Sequence, residues 1–302
     1  MLYLSTFANN LLPILLLGGA GFALGKFISV DPRPLGRVIF YILSPALVFN
    51  LLTQNDLPLE KIAGMMGYAA AVMLTAAGIA YLLARLLRLE RAALIAVALT
   101  TMFGNNGNYG LPLIAFAFGQ EAQAYASIYF VTSAMMLYTF GVLIASLGHL
   151  NLKQAALGLL KVPAIYAIII SVVFIQTGWS LPGALQRTVA LAAGGAVPAM
   201  LVLLGLELGR AAWSRNLRAL GIPAFVRLVI GPLIGLGMAA LFGLQGPARQ
   251  AGVTEAGMPS AVMTTMLAAE YKLEPSLITA IVLVNTLLSP LTLTPLLVFL
   301  GR

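Results

Sequence analysis

The sequence predicts an all-α membrane protein of ten transmembrane helices, arranged as two inverted five-helix repeats with broken crossing helices 4 and 9. Three observations lead to this fold class. Of the 302 residues, 61% are hydrophobic and only 9% are charged, and uncharged runs of membrane-spanning length follow one another along the chain. Lysine and arginine gather in alternate loops between those runs, and short proline-containing segments of the first half recur in the second.

The composition indicates that the solvent of this chain is lipid. A soluble domain carries about 25% charged residues, so a chain with 9% charge and a mean hydropathy of +0.99 cannot form a water-facing surface. A spanning helix needs about 20 mostly apolar residues, and these runs are continuous, unlike the period-two strands of a β-barrel. The first run lacks the basic start of a cleaved signal peptide. The predicted helices lie near 4–27, 38–55, 62–85, 92–118, 122–148, 154–177, 186–207, 218–243, 247–269 and 275–300.

The distribution of basic residues predicts the orientation, because loops on the cytoplasmic side carry an excess of Lys and Arg. Both termini are therefore expected outside, in the periplasm, and the net charge of +8 reports topology rather than a nucleic-acid partner. The predicted cytoplasmic loops hold twelve basic residues and the opposite loops hold four. The twelve are Lys26, Arg33, Arg37, Arg85, Arg88, Arg91, Lys153, Lys161, Arg210, Arg215, Arg218 and Lys272, and the four are Lys61, Arg187, Arg249 and Arg302.

Catalytic and cofactor signatures are missing from the sequence. The chain has no Cys and a single His, His149, in a predicted cytoplasmic loop, so disulfides and Cys-ligated metals are excluded. No nucleophile motif is present either. We therefore expect neither an enzyme nor a resident cofactor.

Matching prolines divide the chain into two repeats, 1–150 and 151–302. Five helices per repeat is an odd number, so the second repeat must insert in the opposite orientation, as in many secondary transporters. The alternative is that Pro and Gly are simply common in membrane helices. The matched pairs are Pro13 with Pro163, Pro45 with Pro198, and Pro112 with Pro259.

The fourth predicted helix contains a stretch that cannot stay helical. Residues 103–112 read Phe-Gly-Asn-Asn-Gly-Asn-Tyr-Gly-Leu-Pro, in the middle of a 29-residue uncharged run, and Gly and Pro both break helices. The ninth predicted helix repeats the pattern at residues 255–259. Unwound backbone at that depth is tolerated only where protein buries it or a wet cavity borders it.

Two broken helices that meet near the midplane would present both kinds of helix end. The second halves, expected to begin just after Pro112 and Pro259, offer free N–H groups that suit an anion. The first halves, expected to end at Asn105 and near Glu255, offer carbonyls that suit a cation. Interhelical hydrogen bonding is the alternative role for the asparagines, and packing is the alternative for the tyrosine. The candidate substrate-binding residues are Asn105, Asn106, Asn108, Tyr109, Gly110, Gly257 and Met258.

Two charged residues lie deep inside predicted spans. Arg227 either snorkels to the cytoplasmic interface or pairs with Glu255 or with a substrate carboxylate. Glu255 lies at the negative end of a half-helix, where both the dipole and desolvation disfavour an ionised carboxylate. A bound proton, a sodium ion held near Glu255 and Asn106, or a salt bridge to Arg227 would each resolve this conflict. The first two would make Glu255 the ion-coupling residue.

These segments together resemble those of the auxin efflux carrier family. The resemblance rests on Pro-Ala-Leu-Val-Phe-Asn at 45–50, the Asn-rich stretch that ends in Gly110-Leu111-Pro112, and Met258-Pro259. It covers the whole chain, and it points to the bacterial members, which lack the long central loop of the plant proteins and lie in the inner membrane.

The resemblance implies a scaffold domain of helices 1, 2, 6 and 7 and a transport domain of the other six, each drawn from both repeats. It also implies homodimers and an architecture shared with bile-acid sodium symporters and sodium–proton antiporters. Family substrates are organic anions such as auxin, malonate and malate. One feature departs from the plant carriers, whose helices 2 and 3 carry an Asp and a Lys near the substrate. Between Val38 and Ala84 of this chain, Asp and Lys occur only as Asp56 and Lys61, in the predicted external loop.

The leading hypothesis is a secondary transporter of small organic anions that moves a transport domain past a scaffold in an elevator-like motion. A membrane sensor with the same fold is one alternative. A sodium-coupled carrier of amphipaths such as bile acids or steroids is the other.

Overall fold

The computed structural model describes residues 2–145, 160–211, 214, 216–270 and 273–301. Those residues form helices, and none of them belongs to a β-strand. The boundary of the two predicted repeats lies outside the described residues, as do His149, Lys153, Arg215, Lys272 and Arg302.

The helices are numbered in chain order. They are α1 (Leu2–Phe27), α2 (Pro32–Gln54), α3 (Leu59–Leu86), α4 (Arg91–Met102), α5 (Leu111–Met136), α6 (Pro163–Thr177), α7 (Gly183–Leu208), α8 (Leu217–Leu241), α9 (Gly246–Ala256), α10 (Met263–Glu270) and α11 (Pro275–Leu300). Within the described part of the chain, α1, α2, α3, α7, α8 and α11 are long and apolar enough to cross a membrane. Shorter apolar helices such as α4 and α6 lie between them.

Most predicted boundaries hold to within a few residues. The sixth predicted helix is expected from 154, but α6 begins at Pro163, after the non-helical residues 160–162, and residues 151–159 lie outside the described part of the chain. Helix α2 starts at Pro32, although the uncharged run that predicted it starts at Val38. Asp31 caps the helix by accepting a 3.3 Å hydrogen bond from the backbone N–H of Arg33, and Pro32 occupies the first turn. Both features initiate helices. The prediction failed here because charged residues were taken to end a span, whereas Arg33 and Arg37 belong to the helix.

The boundary between the fourth and fifth predicted helices lies inside α5, at Gly119. Its φ of +81° belongs to a region that residues with a side chain rarely adopt, and it separates two helical segments. The second segment continues through a π-helical turn, Leu137–Gly141, into Val142–Ala145.

Small residues bring α1 and α7 into close contact. A Cβ atom added at Gly21 would overlap the backbone carbonyl of Val202, and one added at Gly205 would overlap that of Gly18. Such residues allow membrane helices to pack closely where lipid provides no hydrophobic driving force. Helices α1, α2, α6 and α7 pack together in this way as one group, while α3, α4, α5, α8, α9 and α11 pack against each other as a second.

Candidate functional site

The site is built where two helices unwind and pair with each other. Helix α4 ends at Met102 and α9 ends at Ala256. Beyond them, the segments 103–105 and 257–262 form an antiparallel bridge at Gly104 and Ser260. The Asn105 N–H donates to the Pro259 carbonyl at 2.7 Å, and the Ala261 N–H donates to the Phe103 carbonyl at 2.8 Å. Each unwound segment thus supplies hydrogen-bond partners that a continuous helix would have provided internally.

The unwound segment is shorter than the sequence predicted. The half-helix that follows it begins with a π-helical turn at Asn106–Gly110, not after Pro112, and α4 ends at Met102, not at Asn105. Pro112 therefore lies within the half-helix, after the π-helical turn and Leu111, and not before it. Its missing N–H leaves one carbonyl of the preceding turn without an intrahelical donor.

Arg227 of α8 joins the carbonyl ends of both broken helices. Its guanidinium donates from Nε to the Met258 carbonyl at 2.8 Å, and its two terminal nitrogens donate to the carbonyls of Thr101 and Glu255 at 3.3 Å each. These carbonyls lie at the C-terminal ends of α4 and α9, where the helix dipoles are negative. A cation fixed at that point compensates both ends at once.

Arg227 is only 1% exposed, so the expectation that it snorkels to the cytoplasmic interface is wrong. Gly104 makes the room, because a Cβ atom there would overlap the guanidinium. The side chain bonds the backbone carbonyl of Glu255, whereas the only ion pair among the described residues joins Arg210 and Asp31. The predicted salt bridge between Arg227 and the Glu255 carboxylate is therefore not formed.

Glu255 is fully buried beneath the crossing point. Its Oε2 accepts a 2.6 Å hydrogen bond from the amide nitrogen of Asn106, which also lies 3.2 Å from the Glu255 backbone carbonyl. A Cβ atom at Gly110 would come within 2.6 Å of Oε1, so a glycine is required there. The second half of one broken helix is thus tied to the first half of the other.

Several polar atoms around this crossing are buried without a hydrogen-bond partner among the described residues. Native proteins rarely leave such atoms unpaired, and groups of them indicate a site for water, an ion or a ligand. Asn285, one of these residues, donates its amide nitrogen to Ser260 of the bridge at 2.7 Å. The atoms are Thr101 Oγ1, Asn105 Nδ2, Asn106 Oδ1, Tyr129 Oη, Thr254 Oγ1, Glu255 Oε1 and Asn285 Oδ1.

A cavity of about 570 Å³ lies between the crossing and the helices α2 and α7. This volume is within the usual range for small-molecule sites, about 300–1,000 Å³. Its lining includes the aromatic residues Phe40, Tyr41, Phe130 and Tyr138. The polar and charged lining comprises Asn105, Asn106, Asn108, Ser44, Ser133, Thr265 and Thr279, together with Arg33, Arg37, Glu207 and Arg210.

The predicted site residues divide into two sets. Asn105, Asn106 and Asn108 line the cavity, and Asn108 is the one that is partly exposed to it. The remaining predicted residues are not part of the cavity lining and lie in the protein interior. The Tyr109 hydroxyl lies 3.2 Å from that of Ser289, and Gly257 packs on Pro232. The full set is Tyr109, Gly110, Arg227, Glu255, Gly257 and Met258.

Four charged cavity residues were not among the predicted site residues. In the sequence, Arg33, Arg37 and Arg210 indicate only topology, and Glu207 is only the last residue of the predicted helix 186–207. Their positions at the ends of α2 and α7 give no local motif. What brings them to the cavity is the packing of α2 beside α7.

The electrostatics of the cavity favour an anion. The half-helices that begin at Asn106 and Met263 both have their first residues on the cavity wall. Helix N-termini carry free N–H groups and a partial positive charge. Among the described residues that line the cavity, three are arginines and one, Glu207, has a carboxylate; Arg210 is paired with Asp31 outside the lining.

Comparison with known proteins adds two findings. The model of a family described as "Membrane transport protein" matches residues 6–149 and 147–297. Relatives align along most of their length. An uncharacterised transporter of Methanothermobacter thermautotrophicus is 28% identical over 94% of both chains. A protein of Rhizobium meliloti named as a putative malonate transporter is 28% identical over 87% of this chain and 85% of its own.

Proposed function

Since this chain belongs to the auxin efflux carrier-like family of membrane transport proteins, it is a multi-pass transporter and not an enzyme, and we propose that its substrates are small organic anions. Malonate, malate and auxin-like acids represent the class. The observation that carries this proposal is the cavity itself, which is lined by two half-helix N-termini, by Asn108 and by three arginines.

The chemistry of the cavity lining supports a carboxylate substrate. The N–H groups of the half-helices and the amide of Asn108 are hydrogen-bond donors to a carboxylate. Arg33 and Arg37 in the same lining attract anions and raise their local concentration. The aromatic lining residues, Phe40 and Phe130 among others, suit an apolar or planar substrate body.

In this proposal, the protein works by elevator-like alternating access and has ten helices in two inverted repeats. The group α1, α2, α6 and α7 is the scaffold, held by the close contact of α1 with α7. The other helices carry the substrate at the crossing. The cavity separates the two groups, so movement of one past the other would expose the same site to the opposite side of the membrane.

The proposed orientation puts both termini in the periplasm of a bacterial inner membrane. The cavity then faces the cytoplasm, because Arg33 and Arg37 in the first turns of α2 and Arg210 just after α7 belong to the clusters of basic residues that the positive-inside rule assigns to that side. A homodimer formed through the scaffold is part of the same proposal, by the family resemblance.

For energy coupling, the candidate is Glu255, with a proton or with a sodium ion bound beside Asn106. The unpartnered Oε1 of Glu255 and Oδ1 of Asn106 would both be ligands of a sodium ion, whereas a proton would bind to the Glu255 carboxylate alone. Arg227 already compensates the half-helix carbonyls, so in this proposal it is a fixed counter-charge rather than a substrate ligand.

Counterflow in proteoliposomes tests the proposed function. Vesicles loaded with unlabelled malonate, malate, indole acetate or a bile acid are assayed for uptake of the same labelled compound. The proposal is supported if the wild type exchanges one of the small acids and if the rate of this exchange is at least several-fold lower in Asn108→Ala. Exchange of the bile acid alone would favour the amphipath carrier, and saturable binding without exchange would favour the sensor.

A further inference from the structure

Glu207 is the carboxylate in the cavity that the proposed function leaves unused. It lies next to the last residue of α7 and lines the cavity with Leu203 and Leu208. Among the described lining residues, no other carries a carboxylate. A negative charge inside a site that otherwise favours anions requires an explanation.

The surroundings of Glu207 do not neutralise it. Its Oε2 is buried and has no hydrogen-bond partner in the described part of the chain, and no described Lys or Arg forms an ion pair with it. On ionisation, the buried Oε2 would carry charge without solvation and without a partner in the described part of the chain to replace it. The neutral carboxyl avoids this unsolvated charge, and it also gains a hydrogen that it can donate.

The charged and titratable groups around Glu207 are few. Arg33, Arg37 and Tyr41 face the cavity from α2, Tyr138 faces it from the helical segment after α5, and Lys26 ends α1, which packs along α7. Arg210 is engaged elsewhere, with Asp31 at 3.4 Å and with the carbonyls of Ser29 and Val30.

We infer that Glu207 binds the substrate in its protonated form, donating a hydrogen bond from its carboxyl group to a carboxylate of the organic anion. The inference rests on the proposed function and adds a specificity-determining residue to the same site. The proton comes from water on the side to which the cavity opens. When Glu207 loses that proton, the hydrogen bond is replaced by repulsion between two negative charges, so anion binding weakens as the pH rises.

The test is equilibrium binding of labelled malonate and labelled indole acetate to the purified full-length protein, from neutral to alkaline pH, where both probes stay ionised. The wild type should lose roughly tenfold or more in affinity across this range, the effect of losing one hydrogen bond to a charged group. Glu207→Gln keeps an N–H donor and cannot ionise, so its affinity should stay constant over the same range. Glu60→Gln, at an exposed position of α3 outside the cavity, is the matched control and should follow the wild type.

Two results would overturn the inference alone. One is an affinity of the wild type that does not change with pH, and this readout does not depend on the folding of any variant. The other is a Glu207→Gln protein whose affinity falls in parallel with that of the wild type. Absence of binding by the wild type for every organic acid tested would instead overturn the proposed function, and this inference with it.

Discussion

The amide nitrogen of Asn106 lies 2.6 Å from a carboxylate oxygen of Glu255, and this single hydrogen bond connects the two broken helices through their side chains. Asn106 follows the break in the first helix and Glu255 precedes the break in the second. The two asparagines of this turn therefore have different tasks. Asn106 holds the crossing together, whereas Asn108 is exposed to the cavity.

The first prediction separates these two tasks. Asn106→Ala leaves the buried Glu255 carboxylate without its amide donor and should destabilise the protein by about 1–3 kcal/mol, visible as a lower melting temperature in detergent. Asn108→Ala should leave the melting temperature unchanged and weaken anion binding roughly tenfold, the effect of about 1.4 kcal/mol. Equal melting temperatures for both variants would contradict this division.

The second prediction concerns Arg227 as the counter-charge of the crossing. Arg227→Ala removes the donor to three buried carbonyls and should destabilise the protein by about 3 kcal/mol or more, because each buried carbonyl left without a donor costs about 1–3 kcal/mol. Arg227→Lys keeps the positive charge but loses the planar guanidinium with its several donors, so its stability should lie between that of the wild type and that of Arg227→Ala.

Chemical rescue distinguishes this role from simple packing. Guanidinium at millimolar concentration should fit the space left in Arg227→Ala and raise its melting temperature, while the same concentration of sodium chloride should not. A variant stabilised equally by both salts, or by neither, would argue against a specific cation position.

The third prediction uses the glycines that make room at the crossing. Gly104→Ala forces the guanidinium of Arg227 to move, since its Cζ would lie 2.9 Å from the new Cβ, and it should cost about 1–3 kcal/mol. Gly237→Ala, in α8 like Arg227, is the matched control because nothing lies within 4 Å of its Cβ position. It should be neutral or slightly stabilising. Similar losses from both substitutions would contradict the close approach.

The fourth prediction tests ion coupling at Glu255. Glu255→Gln should retain exchange of substrate in proteoliposomes but lose the response of net uptake to a pH gradient or to a sodium gradient. Glu121→Gln, at an exposed position of α5, should keep that response. Gradient-driven uptake that is unchanged in Glu255→Gln would exclude this residue from coupling.

Much of the fold could be predicted from the sequence, because each span shows as an uncharged run and each break as a cluster of Gly, Asn and Pro. The start of α2 could not, because its first turns carry Arg33 and Arg37, which do not resemble membrane residues. The positions of charged residues mark the ends of a helix only where that helix does not continue beyond its apolar, membrane-spanning part.

The candidate site could be predicted in position but not in detail. The breaks indicated Asn105, Asn106 and Asn108, yet they did not show that Asn106 would turn towards Glu255 or that Arg227 would reach carbonyls from two helices. Such contacts join residues up to 149 positions apart, and a local pattern carries no information about them. For the same reason the sequence around Glu207, the last residue of the predicted helix 186–207, does not indicate that it lines a cavity.

The most direct test of the account is protection of Asn108→Cys by substrate. The chain contains no cysteine, so this variant has a single thiol, and Thr177→Cys, exposed at the end of α6 and outside the cavity, is the control. The rate of modification by a water-soluble thiol reagent is measured with and without a small organic acid that the protein exchanges. The account predicts that the acid slows modification at position 108 several-fold and leaves position 177 unaffected. Equal rates at position 108 with and without a saturating concentration of that acid would contradict it.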